Sequence, residues 1–330
     1  MNILVTGASG RIGKVLVPTL LEQRHRVTCF DVKVPDRFRI DPGISWIQGN
    51  LAKSAGIKEL LRGQDVVIHL GAYMSWDKKE NKKLFSSNIQ GTFFLLEGCV
   101  QNSIKKFIFV SSGEVYPESK PEYLPIDENH PRKPTSFYGE TKLIGEEMVQ
   151  YYARACGLQA VILRISHTQN SSELLDPSSF FSGPRFFLSA RIVRAKKLRN
   201  KAELDVLKPF WDGKEKLILP IGTDGKAFKM HITETRDIVQ GILLAVQTDL
   251  PSGEVFNIGY DVPVPFDVYI PRMSQLIGIP YVTVTFPYPS VWYETSNAKA
   301  KRLLGYNPKW SFDMMVEEAA KFHRKAENPL

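Results

Sequence analysis

The segment Tyr138-Gly139-Glu140-Thr141-Lys142 sets a phenol and an ammonium four residues apart at the opening of a helical pattern. Side chains at that spacing share one helix face, so the spacing predicts an ammonium that favours phenolate and lowers the tyrosine pKa. Upstream, an apolar strand pattern runs out at Ser111-Ser112-Gly113-Glu114-Val115-Tyr116. A serine hydroxyl from that strand end can share a substrate oxygen with the phenol. Ser112, Tyr138 and Lys142 together then form a device for moving a proton to or from an alcohol oxygen. The same Tyr-x-x-x-Lys spacing also suits an ordinary solvated helix face, and its place after Ser112 in a chain with a glycine-rich opening favours the chemical reading. Glu114 carries two readings. It is a base able to take a proton from a carbon beside a carbonyl, or a charged loop residue bonded to backbone.

The opening reads Leu4-Val5-Thr6-Gly7-Ala8-Ser9-Gly10-Arg11-Ile12-Gly13, between a short apolar strand and an amphipathic helix. Gly7, Gly10 and Gly13 allow a tight strand-to-helix turn, close approach of a ligand and packing of the helix on the sheet. The N–H groups and positive dipole end of that helix seat a pyrophosphate. A strand-like run, Arg26 to Phe30, ends on Asp31, about 20 residues past the glycines, where an acid receives the ribose hydroxyls of NAD. A carboxylate there repels a 2′-phosphate and argues against NADP. Lys33, Arg37 and Arg39 lie near enough in sequence to soften that preference.

With 330 residues, 43% hydrophobic and 24% charged, the chain reads as an ordinary globular protein of about two domains. A net charge of +8 raises the question of nucleic acid, yet the basic residues are scattered and no Lys/Arg block with interleaved aromatics occurs. A solvated basic surface or a phosphorylated substrate accounts for the charge, and no nucleic-acid partner is expected. Cys29, Cys99 and Cys156 read as reduced core residues, forming neither a disulfide frame nor a metal site. No run approaches the roughly 18 apolar residues a bilayer span needs, and no leader pattern precedes the first strand. A cytoplasmic protein without membrane contact is the expectation.

Strand patterns at Asn2–Thr6, Arg26–Asp31, Ser45–Gln48, Asp65–Leu70, Lys106–Ser111 and Gln159–Ile165 alternate with helical spacing over Ile12–Gln23, Ala55–Leu61, Leu84–Asn102 and Phe137–Ala155. Such alternation predicts an α/β fold, a doubly wound (Rossmann) parallel sheet, with ligands beyond the carboxyl ends of its strands. That rule draws in Asn50 and Leu51 after the third strand and Leu70, Gly71 and Ala72 after the fourth. His69, inside an apolar strand, reads as a packed core histidine. Asn88 can pin neighbouring strand ends. The aromatic segment Ser179 to Phe187, with Arg185, suits a hydrophobic wall between domains or a stacking surface for a base or sugar. Arg191 to Lys208 reads as a basic, solvated helical face, and Gly222 with Asp224-Gly225 suggests a hairpin over Leu217–Phe228.

These residues, with Arg164, Val255-Phe256-Asn257-Ile258-Gly259, Thr295-Ser296-Asn297-Ala298-Lys299 and Leu304-Gly305-Tyr306-Asn307-Pro308, resemble the extended short-chain dehydrogenase/reductase family. The likeness is to its NAD-dependent epimerase/dehydratase group, which works largely on nucleotide-linked sugars. The resemblance implies an NAD-binding domain over residues 1–168, to which about 230–258 return, and a smaller α/β substrate domain over 169–330. It implies cofactor contacts from Gly7, Gly10, Arg11, Ile12, Gly13, Asp31, Asn50, Leu51, Leu70, Gly71, Ala72, Asn88, Tyr138 and Lys142. Ser112 becomes the substrate-oxygen donor, Tyr138 the acid/base, and Lys142 the residue that holds the nicotinamide ribose. Homodimers through the helices bearing Asn88 and Tyr138 are implied in the same way.

Three departures stand out. Gly113 replaces the aspartate that family dehydratases carry before the glutamate, so the elimination acid is missing. After Arg164, His167 occupies the usual asparagine position, touching substrate or nicotinamide or filling a polar pocket. Lys229 stands where relatives often hold an arginine facing substrate phosphate, with His231 close by, and both also suit a surface. The expected function is oxidation of a sugar hydroxyl by bound NAD through a transient ketone, as in epimerases and dehydratases. A dehydrogenase of a free sugar, sugar acid or polyol is the alternative, and a non-catalytic NAD-binding scaffold or sensor is the alternative of another class.

Overall fold

The computed structural model describes residues 1–34, 44–53, 56–117 and 120–327. Arg37, Arg39 and Ala55 lie outside the described residues.

Six strands form where the apolar runs predict them: β1 (Asn2–Thr6), β2 (Arg26–Asp31), β3 (Ile44–Gln48), β4 (Val66–His69), β5 (Lys106–Ser112) and β6 (Ala160–Ile165). A seventh, Glu254–Ile258, returns to the far edge beside β6, giving the parallel order Glu254–Ile258, β6, β5, β4, β1, β2, β3. Ile3, Leu4 and Val5 are wholly buried because helices cover both sheet faces, which is why these strands read as continuous apolar runs. On one face pack Leu16, Val17 and Leu20 of α1 (Gly13–Glu22) with Ile238 and Ile242 of helix Thr235–Gln247. Leu95, Leu96, Phe107, Phe109 and Val149 make the core on the other. The order in which successive strands join the sheet reverses between β1 and β4, so a crevice opens beyond their carboxyl ends.

The helix expected over Leu84–Asn102 is composite: a turn at Asn81–Leu84, a wide π segment at Phe85–Gln90 and an α-helix at Gly91–Gln101. Asn88 sits in the wide segment, where such bulges often mark a special site. Helix Phe137–Cys156 is capped by Ser136, whose Oγ accepts from the Gly139 N–H at 2.9 Å, and it stops at Gly157 with φ of 69°. A third core, containing Phe186, Phe187, Leu217, Phe266, Phe286, Tyr293 and Met315, lies in the C-terminal part of the chain. There Leu217–Ile221 pairs in parallel with Tyr281–Thr285, and the expected hairpin is reduced to a turn with one bridge, Ile221 to Ala227. Cys29 and Cys99 are buried, but Cys156 is exposed, because it ends its helix just before the glycine. No described helix is long and apolar enough to cross a membrane.

Candidate active site

The glycine turn is shaped by close backbone approach. A Cβ on Gly7, at φ of +73°, would sit 2.7 Å from the Gly71 Cα, and one on Gly13 would sit 2.3 Å from the Ala8 carbonyl oxygen. Strand ends β1 and β4 therefore nearly touch at Gly7 and Gly71, and α1 packs hard on the turn. Asp31 Oδ2 accepts from the Ser9 N–H at 2.9 Å, tying the end of β2 to the turn. From this floor runs a cavity lined by Asp31, Asn50, Leu51, Leu70, Gly71 and Ala72, among others. A second cavity, sharing Gly7, Gly10 and Leu70 with it, continues past Arg11, Ile12 and Gly13 to Ser112, Glu114 and Tyr138. A donor-rich glycine turn flanked by an acid on one side and an acid/base pair on the other fits an extended dinucleotide such as NAD.

At the inner end, Tyr138 is buried and lines one cavity with Ser112. Burial and then the negative charge of Glu114 push the phenol above its usual range, and the neighbouring Ser112 hydroxyl opposes them. That direction is opposite to the one expected from the tyrosine–lysine spacing. The reason is geometric: Lys142 Nζ donates to the Val110 carbonyl at 2.8 Å and lies 5.0 Å from the Phe109 ring centroid. Burial lowers the Lys142 pKa to about 8, with Glu146 opposing. Glu114 Oε2 accepts from Ser136 Oγ at 2.6 Å and from the Trp76 indole at 3.2 Å, so the carboxylate is fixed beside the phenol.

Asn88 serves the site from behind. Its side chain accepts from the Tyr73 N–H at 2.7 Å and donates to the Tyr73 carbonyl at 2.9 Å and Thr141 Oγ1 at 3.0 Å, pinning the segment after β4 to the Tyr138 helix. His69 is a core residue, between Thr6 Oγ1 at 2.6 Å and Thr92 Oγ1 at 3.0 Å, and burial lowers its pKa to about 3. Behind Ser112, the buried Arg164 meets Glu146 with Nη2 at 2.8 Å and reaches Tyr116 Oη with Nη1 at 2.6 Å. Ser111 Oγ donates to the same glutamate at 2.6 Å. This network locks β5, β6 and the Tyr138 helix together.

Beyond the phenol, the cavity opens into another lined by Trp76, Phe180, Phe181, Arg185, Arg191, Arg194 and Tyr288, with His167 and Glu114 on both walls. Phe180, Phe181 and Arg185 of the aromatic segment Ser179–Phe187 thus form a cavity wall, while Phe186 and Phe187 lie in the core. His167 packs edge-on against the Tyr293 ring at 5.4 Å, and its Nδ1 lies 3.2 Å from the His231 carbonyl oxygen. Two sequence readings are corrected here, those of His231 and of Arg191 with Arg194, while for Lys229 the surface alternative is the one the geometry fits. Lys229 lies over Trp292 at 5.1 Å with Nζ 3.9 Å from Glu294, while the next residue, Met230, lines the cavity. Neighbouring strand residues face opposite ways, so a one-residue offset exchanges cation for thioether. His231 is wholly buried, with Nδ1 accepting from the Thr295 N–H at 2.9 Å, and burial lowers its pKa to about 4. Arg191 and Arg194, read as part of a solvated face, point inward: Arg191 donates to Tyr288 Oη at 2.8 Å and Arg194 covers the Trp76 ring at 5.1 Å.

Trp76, Tyr288 and Tyr293 escaped sequence reasoning, having no motif around them. Gly113 carried a usable signal, since a Cβ there would fall 1.9 Å from Tyr293 Oη. The glycine is required by the tyrosine hydroxyl that occupies the space beside it. A larger side chain at 113, such as the dehydratase aspartate, would require the Tyr293 hydroxyl to move.

Comparison with known proteins agrees with this geometry. Residues 3–259 match the model of the NAD dependent epimerase/dehydratase family. A short-chain dehydrogenase/reductase superfamily protein from Agrobacterium tumefaciens, crystallised with bound NAD, superposes with a TM-score of 0.94 at 42% identity, covering 99% of this chain and 98% of that one. A UDP-glucose 4-epimerase from Halalkalibacterium halodurans is 28% identical over 98% of this chain and 96% of its own. Some relatives of higher identity match over only about half of each protein. A putative UDP-glucose 4-epimerase from Methanocaldococcus jannaschii is 35% identical over 50% of this chain and 55% of its own, and a uronate dehydrogenase from Pseudomonas syringae is 30% identical over 50% and 58%. With the glycine crevice, the acid at 31 and the Ser112–Tyr138 pair in place, the chain belongs to the NAD-dependent epimerase/dehydratase family and is an NAD-dependent enzyme of the extended short-chain dehydrogenase/reductase type.

Proposed function

We propose that the enzyme oxidises a hydroxyl of a sugar, as a nucleotide sugar in the leading reading, and returns the hydride to the transient ketone from the other face as an epimerase does. The observation that carries this is the placing of Ser112 and Tyr138 side by side in one cavity with Gly7, Gly10 and Ile12, at the inner end of the glycine crevice. NAD, when bound, supplies the hydride acceptor. Gly7, Gly10, Ile12 and Gly13 would hold its pyrophosphate, Asp31 a ribose, and Asn50, Leu51, Gly71 and Ala72 the adenosine side. Tyr138 takes the hydroxyl proton as its phenolate, and Ser112 donates to the same oxygen, so charge developing there meets preorganised donors. Glu114, held by Ser136 and Trp76, keeps the phenol basic. Arg185 and Arg194 give the outer cavity a positive wall for an anionic group on the substrate, while the Arg191 charge is paired with Glu203. The Gly113–Tyr293 packing argues against net elimination.

A second reading, a dehydrogenase of a free sugar or sugar acid, is favoured by Met230 in place of a cation at the cavity wall and by the uronate dehydrogenase among the relatives. The test is to incubate the NAD-loaded enzyme with nucleotide sugars, free sugars and aldonic acids. Exchange of sugar isomers without net NADH supports epimerisation, and stoichiometric NADH with a free sugar or acid supports the second reading. Absence of both overturns the assignment. The scaffold alternative leaves the fixed Ser112–Tyr138–Glu114 geometry without a use. A homodimer and a cytoplasmic location are proposed with this reading, on the family resemblance and the cysteine usage.

A further inference from the structure

Arg11 leaves the glycine turn and crosses to the segment that follows β6. Its Nε and Nη2 donate to Glu173 Oε2 at 3.1 and 2.7 Å, and its guanidinium lies 4.6 Å from the centroid of the Phe181 ring. Arg11 and Phe181 both line the cavity that holds Gly7, Gly10 and Tyr138. The stacked pair therefore joins the two sides of the crevice. Phe181 continues the connection, packing edge-on against Trp76 at 6.4 Å, and Trp76 donates to Glu114. Glu173 rests on a firm base: it lies on the short helix Ser171–Leu174, whose Ser171 N–H donates to Glu234 Oε2 at 3.1 Å and whose Ser171 Oγ accepts from Arg236 at 3.2 Å. The charges are partly shielded, with Arg11 and Glu173 side chains 16% and 34% exposed.

We propose that Glu173 is a cofactor-retention residue. With Phe181 it holds the Arg11 guanidinium across the crevice, and a dinucleotide seated on the glycine turn departs only when this clasp opens. The inference rests on the NAD-dependent reading of the site and adds a reason for the enzyme to keep its cofactor between turnovers, as an epimerase needs and a freely exchanging dehydrogenase does not.

The experiment measures NAD dissociation from the loaded full-length protein in the absence of any sugar, by trapping released NAD with an auxiliary dehydrogenase. Glu173→Gln is expected to release NAD about tenfold or more faster, the scale of one lost charge-assisted hydrogen bond. The change should be larger in the dissociation rate than in kcat at saturating NAD. Raising salt should accelerate release more steeply in the wild type than in the variant, because the variant has already lost the screened ion pair. If Glu173→Gln does not fold, Phe181→Leu removes the stack from the other side and should act in the same direction. An unchanged release rate in a folded Glu173→Gln, or equal salt slopes in both proteins, overturns the clasp. Because no sugar is present, a failed sugar assignment leaves this result standing, and a failed clasp leaves the sugar chemistry standing.

Discussion

The cofactor crevice and the substrate cavity meet at Tyr138 yet are made of different material. The crevice is made of backbone: Gly7 against Gly71, Gly13 against Ala8, Ser9 N–H on Asp31. The cavity is made of side chains drawn from distant parts of the chain, with Trp76, Phe181, Arg191, Tyr288 and Tyr293 converging on Glu114 and His167. A backbone-built site is intolerant of any added atom but indifferent to most side chains around it. A side-chain-built site can be redrawn one residue at a time, which is how one fold serves many substrates.

The comparison breaks most sharply at Gly7. Alanine there must adopt φ of +73° with its Cβ 2.7 Å from the Gly71 Cα, and NAD affinity should fall by about a hundredfold or more, since left-handed strain and a backbone clash add. Titration of the purified protein with NAD measures it, and near-normal affinity would show that the turn has more room than the structure gives it. Next comes the scaffold between the two regions. Arg164→Ala strands Glu146 and Tyr116 in the core, and should cost about 3–5 kcal/mol in denaturant unfolding.

On the cavity side the effects are smaller and reversible by a partner. Gly113→Ala forces its methyl into Tyr293 Oη and should cost about 1–3 kcal/mol of stability. Tyr293→Phe in the same chain should recover part of that loss, and simple additivity of the two changes would refute the packing argument. Smallest is Glu114→Gln. The carboxylate is one of the groups raising the Tyr138 pKa, so its removal favours phenolate at lower pH. The alkaline-rising limb of kcat/KM should therefore move to lower pH, and a limb that moves up or stays would contradict the electrostatic role.

Legibility in the sequence divides along the same line. The crevice was readable because its signals are local: a glycine spacing, an acid at the end of β2, apolar runs that can only be buried strands. The seventh strand and the returning helix Thr235–Gln247 came only through family resemblance, since an edge strand far along the chain has no local sign of its sheet. For the cavity, residue type does not reveal direction. Arg191 and Arg194 on an amphipathic helix look alike whether they face water or a pocket, and Lys229 and Met230 exchange faces with one step along a strand. The Tyr138 shift shows a further limit, because spacing places Lys142 near the phenol but says nothing about burial or about Val110, which takes the ammonium.

The central claim is that Tyr138 and Ser112 act on one substrate oxygen at the end of the NAD crevice. Its most direct test is a single-turnover measurement of reduced-nicotinamide absorbance in the NAD-loaded enzyme, wild type against Tyr138→Phe, with the sugar found active in the panel. The account predicts full NAD occupancy in both proteins and a rate in the variant lower by about 10²- to 10⁴-fold, the usual worth of a positioned acid/base. An undiminished rate with NAD still bound would contradict it.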